Sequence, residues 1–231
     1  MDQHELVTAI LCAAGGCRVE EALPDSYIGK RADVVFRRDD LIAEVKSLTT
    51  DRRQDPQVIT KLGDILDRGV SIGAQAIFGT VSVRLHELPQ PVAERALRVV
   101  GARVRKEVTA ARTQIDATRE ALEMTNAYGL VVFVSPPERI GLHSLAWLIN
   151  DALQHSDRVA GIDGALVIET ALGAVFDPNA SPNSFSSLWS ISDRTFPEGL
   201  ARRIETAWHR LTSQVPRPAN AEHFGALGAT E

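Results

Sequence analysis

The segment Gly129 to Ser135 reads GLVVFVS, with no charged residue and with large apolar side chains at adjacent positions. A strand with one wet face alternates apolar and polar residues, because successive side chains point to opposite sides of the sheet. This segment does not alternate, so it belongs inside a sheet that is covered on both faces. The covering layers have to come from the rest of the chain, and they are available as helices. Leu6, Ile10 and Ala13, with Val7, Leu11 and Ala14, recur at helical spacing, and Gly15-Gly16 closes that run. The expected class is therefore α/β. The 231 residues, 44% hydrophobic and 24% charged, are enough for one large core and exclude a disordered chain or a membrane channel. A net charge of −5 argues against coating nucleic acid through bulk positive charge, while leaving room for a local basic groove.

Read along the chain, residues 2–14 form a helix, 18–23 a short strand, 24–29 a loop, and 31–37 and 41–48 two strands joined at Arg38-Asp39-Asp40. A modest helix covers 57–66, and Gly69 and Gly73 interrupt the stretch after it. From 91 to 124 the seam Leu97, Val104, Ala111, Thr118, alternating with Val100, Val108, Ile115 and Leu122, predicts one continuous helix. It would run ~33 residues and about 50 Å. A helix over 142–153, a strand over 164–169, a surface loop over 178–192 and a helix over 198–211 complete the chain, with a loose tail from 216. This divides it into a core at 1–136, a C-terminal α/β elaboration packed on it at 137–215, and the tail at 216–231. There is no internal repeat. Cys12 and Cys17 are too few for a disulfide scaffold, and Asp2 and Glu5 stand where a secretory signal would carry Lys or Arg, so the cytoplasm is expected. No apolar run approaches the ~20 residues of a membrane helix, and no membrane association is expected.

The chemistry lies in Lys30 to Lys46, KRADVVFRRDDLIAEVK. Glu44 and Lys46 are two apart in a strand, which places both on one face with Cα atoms ~6.6 Å apart. If the hairpin loop holds an even number of residues, Asp33 faces either Glu44 or Lys46 and shares that face. Two carboxylates and an ammonium so placed suit metal-assisted hydrolysis of a phosphodiester. The acids suit a hard cation such as Mg2+, and the lysine neutralises developing charge or orients a water. The ammonium also offsets the repulsion between the carboxylates. The competing reading is a solvated strand face with a cross-strand salt bridge.

Asp33, ten intervening residues, then Glu44-Val45-Lys46 at the end of an apolar strand resembles the PD-(D/E)XK nuclease superfamily, the restriction-endonuclease-like fold. A helix bearing Glu5, the Gly15-Gly16 turn and the segment from Arg18 extend the match backward, in a layout similar to archaeal Holliday-junction resolvases. The resemblance covers residues 5–48 by motif, and 129–135 by element order alone. Ala32 stands where the signature has proline. The resemblance implies an αβββαβ core with a mixed sheet, and a Mg2+-dependent nuclease acting on DNA in which Mn2+ can substitute. It assigns Asp33 and Glu44 as metal ligands with the Val45 carbonyl assisting, Lys46 as the catalytic lysine, and Glu5 as a helix-borne catalytic acid. The alternative is a catalytically silent protein of this fold that serves as an interaction or assembly module.

Arg98, Arg105, Arg112 and Arg119 recur at steps of seven, and Arg95 to Arg112 holds six basic residues against Glu107 alone. Such a stripe suits phosphates of DNA, or it flanks a packing seam. The seam needs a cover, from its own domain or from a second copy, so a homodimer is expected. Other patterns carry less. His4, Cys12 and Cys17 lack zinc spacing, Gly15-Gly16 and Gly161 to Gly164 lack nucleotide-loop signatures, and Ser135, Ser144 and His143 lack a hydrolase motif. Gln57 and Lys61 lie one turn apart on the helix after the hairpin, which an ordinary exposed face explains.

Overall fold

The computed structural model describes residues 2–48, 55–69, 88–135, 142–154, 161–169, 185–212 and 217–218. The order is α1 (Gln3–Ala13), β1 (Cys17–Arg18), α2 (Val19–Ala22), β2 (Val34–Phe36), β3 (Leu41–Ser47), α3 (Pro56–Gly69), α4 (Gln90–Val100) and α5 (Ala102–Ala121). Then come β4 (Tyr128–Ser135), α6 (Leu142–Gln154), β5 (Gly164–Glu169), β6 (Phe185–Ser190), α7 (Leu200–Thr212) and β7 (Arg217–Pro218). The strands form one mixed sheet in sequence order. β1, β2 and β3 are antiparallel, β3, β4 and β5 parallel, β6 antiparallel to β5, and β7 parallel to β6.

The architecture is α/β, and β4 lies in mid-sheet with all eight residues buried. Alternate strand residues serve two cores, as the pleat requires. Val35, Ile42, Val131, Phe133 and Val167 pack against Val104, Val108 and Ile115 of α5 and Leu145 and Ile149 of α6. On the other face Val34, Ala43, Val45, Leu130 and Val132 pack against Leu6 and Ile10 of α1 and Leu200, Ile204 and Trp208 of α7. Asp2 caps α1 by accepting from the Glu5 amide at 2.8 Å. The segments assigned to core and elaboration share this one sheet, with β5 and β6 extending it beyond β4.

Four expectations need correction. The predicted helix over 91–124 is two helices that meet at Gly101, whose ψ of 9° turns the chain. A Cβ on Gly101 would overlap the Leu148 side chain, so α6 comes close at the junction. Apolar periodicity continues through the junction because both helices bury their seams against the same layer. The strand expected over 18–23 stops at Arg18. The Val19 amide turns to the Asp33 carbonyl at 3.0 Å, and Glu20, Glu21 and Ala22 complete a helical turn. The Ser-rich stretch expected as loop contains β6, because the open edge of β5 finds its backbone partners there, from Gly164↔Ser190 to Glu169↔Phe185. Residues 178–184 lie outside the described residues, as does the tail beyond Pro218. In the hairpin, Arg37 leaves the strand for a tight 3-10 turn over Arg37–Asp39 that Asp40 completes at φ 47°.

Gly101→Ala should destabilise the protein by about 1–3 kcal/mol, since the added methyl meets a packed leucine rather than open space. Denaturant midpoints of the two proteins check this, and equal midpoints would show that the α4–α5 junction does not depend on close approach of α6.

Candidate active site

Phe36 pairs with Leu41 across the turn and Val34 with Ala43, leaving an even loop of Arg37 to Asp40. Continuing that register by one residue sets Asp33 opposite Glu44, and the Asp33 amide donates to the Ala43 carbonyl at 3.2 Å. Asp33, Glu44 and Lys46 therefore share the face toward α5. Asp33 Oδ2 accepts from the Val45 amide at 2.7 Å, and Asp33 Oδ1 is bonded to His4 Nε2 of α1 at 3.1 Å. Lys46 Nζ lies 2.7 Å from Glu44 Oε1, 2.7 Å from Gln114 Oε1 of α5 and 3.8 Å from Glu107 Oε2. Gln114 Nε2 in turn donates to the Arg31 carbonyl at 3.0 Å, and the Ala32 amide donates to Thr118 Oγ1 at 2.7 Å.

Glu44 is 1% exposed, and its Oε2 is buried without a hydrogen-bond partner among the described residues. Burial, followed by the nearby charge of Asp33, raises its pKa to about 8, against the opposing pull of Lys46. Asp33 is shifted the other way. Burial acts to raise it, but the hydrogen bonds from His4 and the Val45 amide outweigh that and bring it below the ordinary value of 3.8. His4 is raised above 6.5, chiefly by its bond to Asp33. Two neighbouring carboxylates cannot satisfy each other while both are ionised, because both are then acceptors. They are reconciled by a shared proton or by a shared cation.

Two carboxylates could serve a hard cation only where water and substrate supply most of the ligands. The described residues hold no cluster of three His, Cys, Asp or Glu side chains arranged to ligate a metal. Asp33 and Glu44, with the orphaned Glu44 Oε2, fit a cation such as Mg2+, which needs only one or two carboxylates.

Glu5 is not among the converging groups. Its carboxylate pairs with Arg18 at 2.6 Å on the exposed side of α1, whereas the preceding residues turn inward, His4 to Asp33 and Gln3 to Ser47 at 3.4 Å. The rotation of α1 against the sheet decides which polar residue of its first turn faces the site, and the apolar spacing left that choice open. The arginine stripe serves packing at its ends. Arg98 pairs with the buried Asp151 of α6 at 2.9 Å and lies over the Trp147 ring, and Arg105 reaches Asp151 at 3.2 Å. Arg112 pairs with Asp116 at 3.4 Å, and Arg119 is buried against Asp163 at 3.1 Å. Gln57 and Lys61 are exposed on α3. The sequence did not disclose His4, Gln114 or Glu107 as neighbours of the site. Thr118 was the one polar member of its seam row, and that position is where α5 meets the Ala32 amide. The sequence matches no protein-family model and no curated protein, and the fold matches no solved structure.

The raised Glu44 pKa predicts how stability of the metal-free protein varies with pH. The folded state holds this proton more tightly than the unfolded one, so the contribution is complete below pH 4.5 and is lost as pH rises through about 8. His4 adds to the loss above 6.5, and Asp33 acts in the opposite sense only near and below 3.8. Glu44→Gln should flatten the decline between pH 4.5 and 6.5, as read by denaturant unfolding. A wild-type curve without that decline would contradict the buried carboxyl.

Proposed function

We propose that the chain is a metal-dependent nuclease of the PD-(D/E)XK type, hydrolysing phosphodiester bonds of DNA. One observation carries the reading: a buried, half-unsatisfied Glu44 set opposite Asp33, with the Lys46 ammonium on the same face. The order of α1, the antiparallel β1, β2 and β3, then α5 and a β4 parallel to β3 supports a restriction-endonuclease-like core. Asp33 and Glu44 would hold Mg2+ or Mn2+, with the Val45 carbonyl assisting by the resemblance. When bound, such a cation polarises the phosphate and lowers the pKa of a bound water.

The chain's own residues act around that centre. His4 and the Val45 amide orient Asp33, so its carboxylate is preorganised. Lys46, held at 12% side-chain exposure, places a positive charge beside the reacting phosphate, where charge builds up. Arg105 is the most exposed of the stripe and remains a candidate for phosphate contact, in keeping with binding DNA through a local basic surface on an acidic chain. Cutting both strands of a duplex calls for a second copy. The seam that prompted a dimer is covered within the chain, where Leu97, Val104, Ala111 and Ile115 are all buried, so a dimer would use another surface. Among the described residues no helix is long and apolar enough to cross a membrane.

The test is cleavage of duplex, single-stranded and branched DNA with Mg2+ or Mn2+. Asp33→Ala and Glu44→Ala should each lower the rate by about 100-fold or more while the protein stays folded. Lys46→Ala should still bind Mn2+ by calorimetry yet cleave poorly. Full activity in both acid variants would overturn the site. A wild-type protein that binds the cation and cleaves none of these DNAs would favour the silent assembly module.

A further inference from the structure

We propose that Gln114 and Thr118 of α5 are positioning residues that hold Asp33 and Lys46 in register with Glu44, replacing the rigid proline absent at position 32. The proposal rests on the nuclease reading and concerns how this chain keeps that site in shape. The two residues are one helical turn apart and so face the same way. Thr118, fully buried, accepts from the Ala32 amide, and Gln114 donates to the Arg31 carbonyl next to it. Together they tie the two residues that lead into Asp33 to a helix packed across the sheet.

Gln114 has a second task, and its chemistry is specific. A lysine ammonium can only donate and a backbone carbonyl can only accept, so the side chain between them must present an acceptor to one and a donor to the other. A primary amide does both at once, and here Oε1 accepts a hydrogen bond from Lys46 while Nε2 donates one to the Arg31 carbonyl. A carboxylate would keep the contact with Lys46 but set its oxygen against the Arg31 carbonyl. An apolar side chain would lose both. Gln114 thus joins the catalytic lysine on β3 to the backbone approaching Asp33.

Ala32 explains why the tie is needed. Proline would restrict the backbone there through its ring and would present no amide. Alanine is freer, and it brings a buried N–H whose loss of a partner is costly. Thr118 Oγ1 supplies both the partner and the restraint. The alanine and the hydroxyl therefore form a pair: a proline at 32 would have no proton for Thr118 and would put its Cδ close to that oxygen.

The experiment uses the full chain. Gln114→Met should lower kcat for DNA cleavage about 10- to 100-fold with KM for DNA within about twofold, since it displaces reacting groups without touching substrate. Thr118→Val should act in the same direction, and Thr118→Ser, which keeps the hydroxyl, should retain wild-type kcat. In the metal-free protein the side-chain nitrogen resonance of Lys46, assigned by its absence in Lys46→Arg, should shift in Gln114→Met and stay in place in Thr118→Ser. A Gln114→Met protein with unaltered kcat, or with an unmoved Lys46 resonance, would overturn the role of Gln114. Equal activity of Thr118→Val and Thr118→Ser would overturn that of Thr118. If the wild type cleaves no DNA, the nuclease reading fails by itself, and the Lys46 resonance still decides whether Gln114 holds that lysine. Should Thr118→Val fail to fold, adding Ala32→Pro to Thr118→Ala removes the orphaned amide, and recovery of the fold supports the pairing while no recovery contradicts it.

Discussion

A carboxylate at 1% exposure in the middle of a sheet is the constraint around which this molecule is arranged. Moving an ionised group out of water is costly unless it is paired and hydrogen-bonded, and Glu44 receives only part of that compensation. One oxygen meets Lys46, and the other has no hydrogen-bond donor among the described residues. An apolar side chain would satisfy β3 far better, since Ile42, Ala43 and Val45 beside it are all buried in ordinary hydrophobic packing. The surrounding elements therefore support an arrangement that packing alone would not select. Burial raises Glu44, and the donors from α1 and the hairpin lower Asp33, so two like groups opposite each other come to differ in charge over the neutral range.

The helices on the two faces contribute to this centre in different ways. α1 lies on one face with its apolar residues against β2, β3 and β4, and its first turn reaches around to hold Asp33 through His4. α5 lies on the other, and the same helix that buries Val104, Val108, Ala111 and Ile115 presents Glu107, Gln114 and Thr118 to the hairpin. The apolar seam fixes where α5 sits, and the polar residues beside the seam exploit that fixed position. Asp163 does for the β4–β5 end what these residues do for the hairpin. It accepts from Arg119, the Gly129 amide, Ser192 and Arg194, so a buried charge there is fully satisfied. Glu44 differs in its hydrogen bonding, since its Oε2 is buried with no donor among the described residues.

Much of this arrangement was legible in the amino-acid sequence. Strand pleating has a period of two, so Glu44 and Lys46 had to share a face, and an even turn had to bring Asp33 onto it. The unbroken apolar run of β4 required layers on both sides, and two layers are present. These are consequences of local geometry, which the order of residues determines without reference to distant parts of the chain.

Features that depend on distant parts were not legible. Whether Glu5 or His4 meets Asp33 is decided by the rotation of α1 on the sheet, a matter of packing against α7 as well as β3. Whether the arginines at steps of seven face solvent or Asp151 is decided by where α6 docks, and the break at Gly101 by how closely Leu148 approaches. Gln114 is 68 residues from Lys46 in sequence and 2.7 Å from it in space. The sequence by itself determined the strand that carries the site and the face on which its acids and lysine lie, because backbone periodicity is local. Only the tertiary structure decided which side chains of α1 and α5 complete that site, because their approach is set by volumes and hydrogen bonds contributed from other elements of the fold.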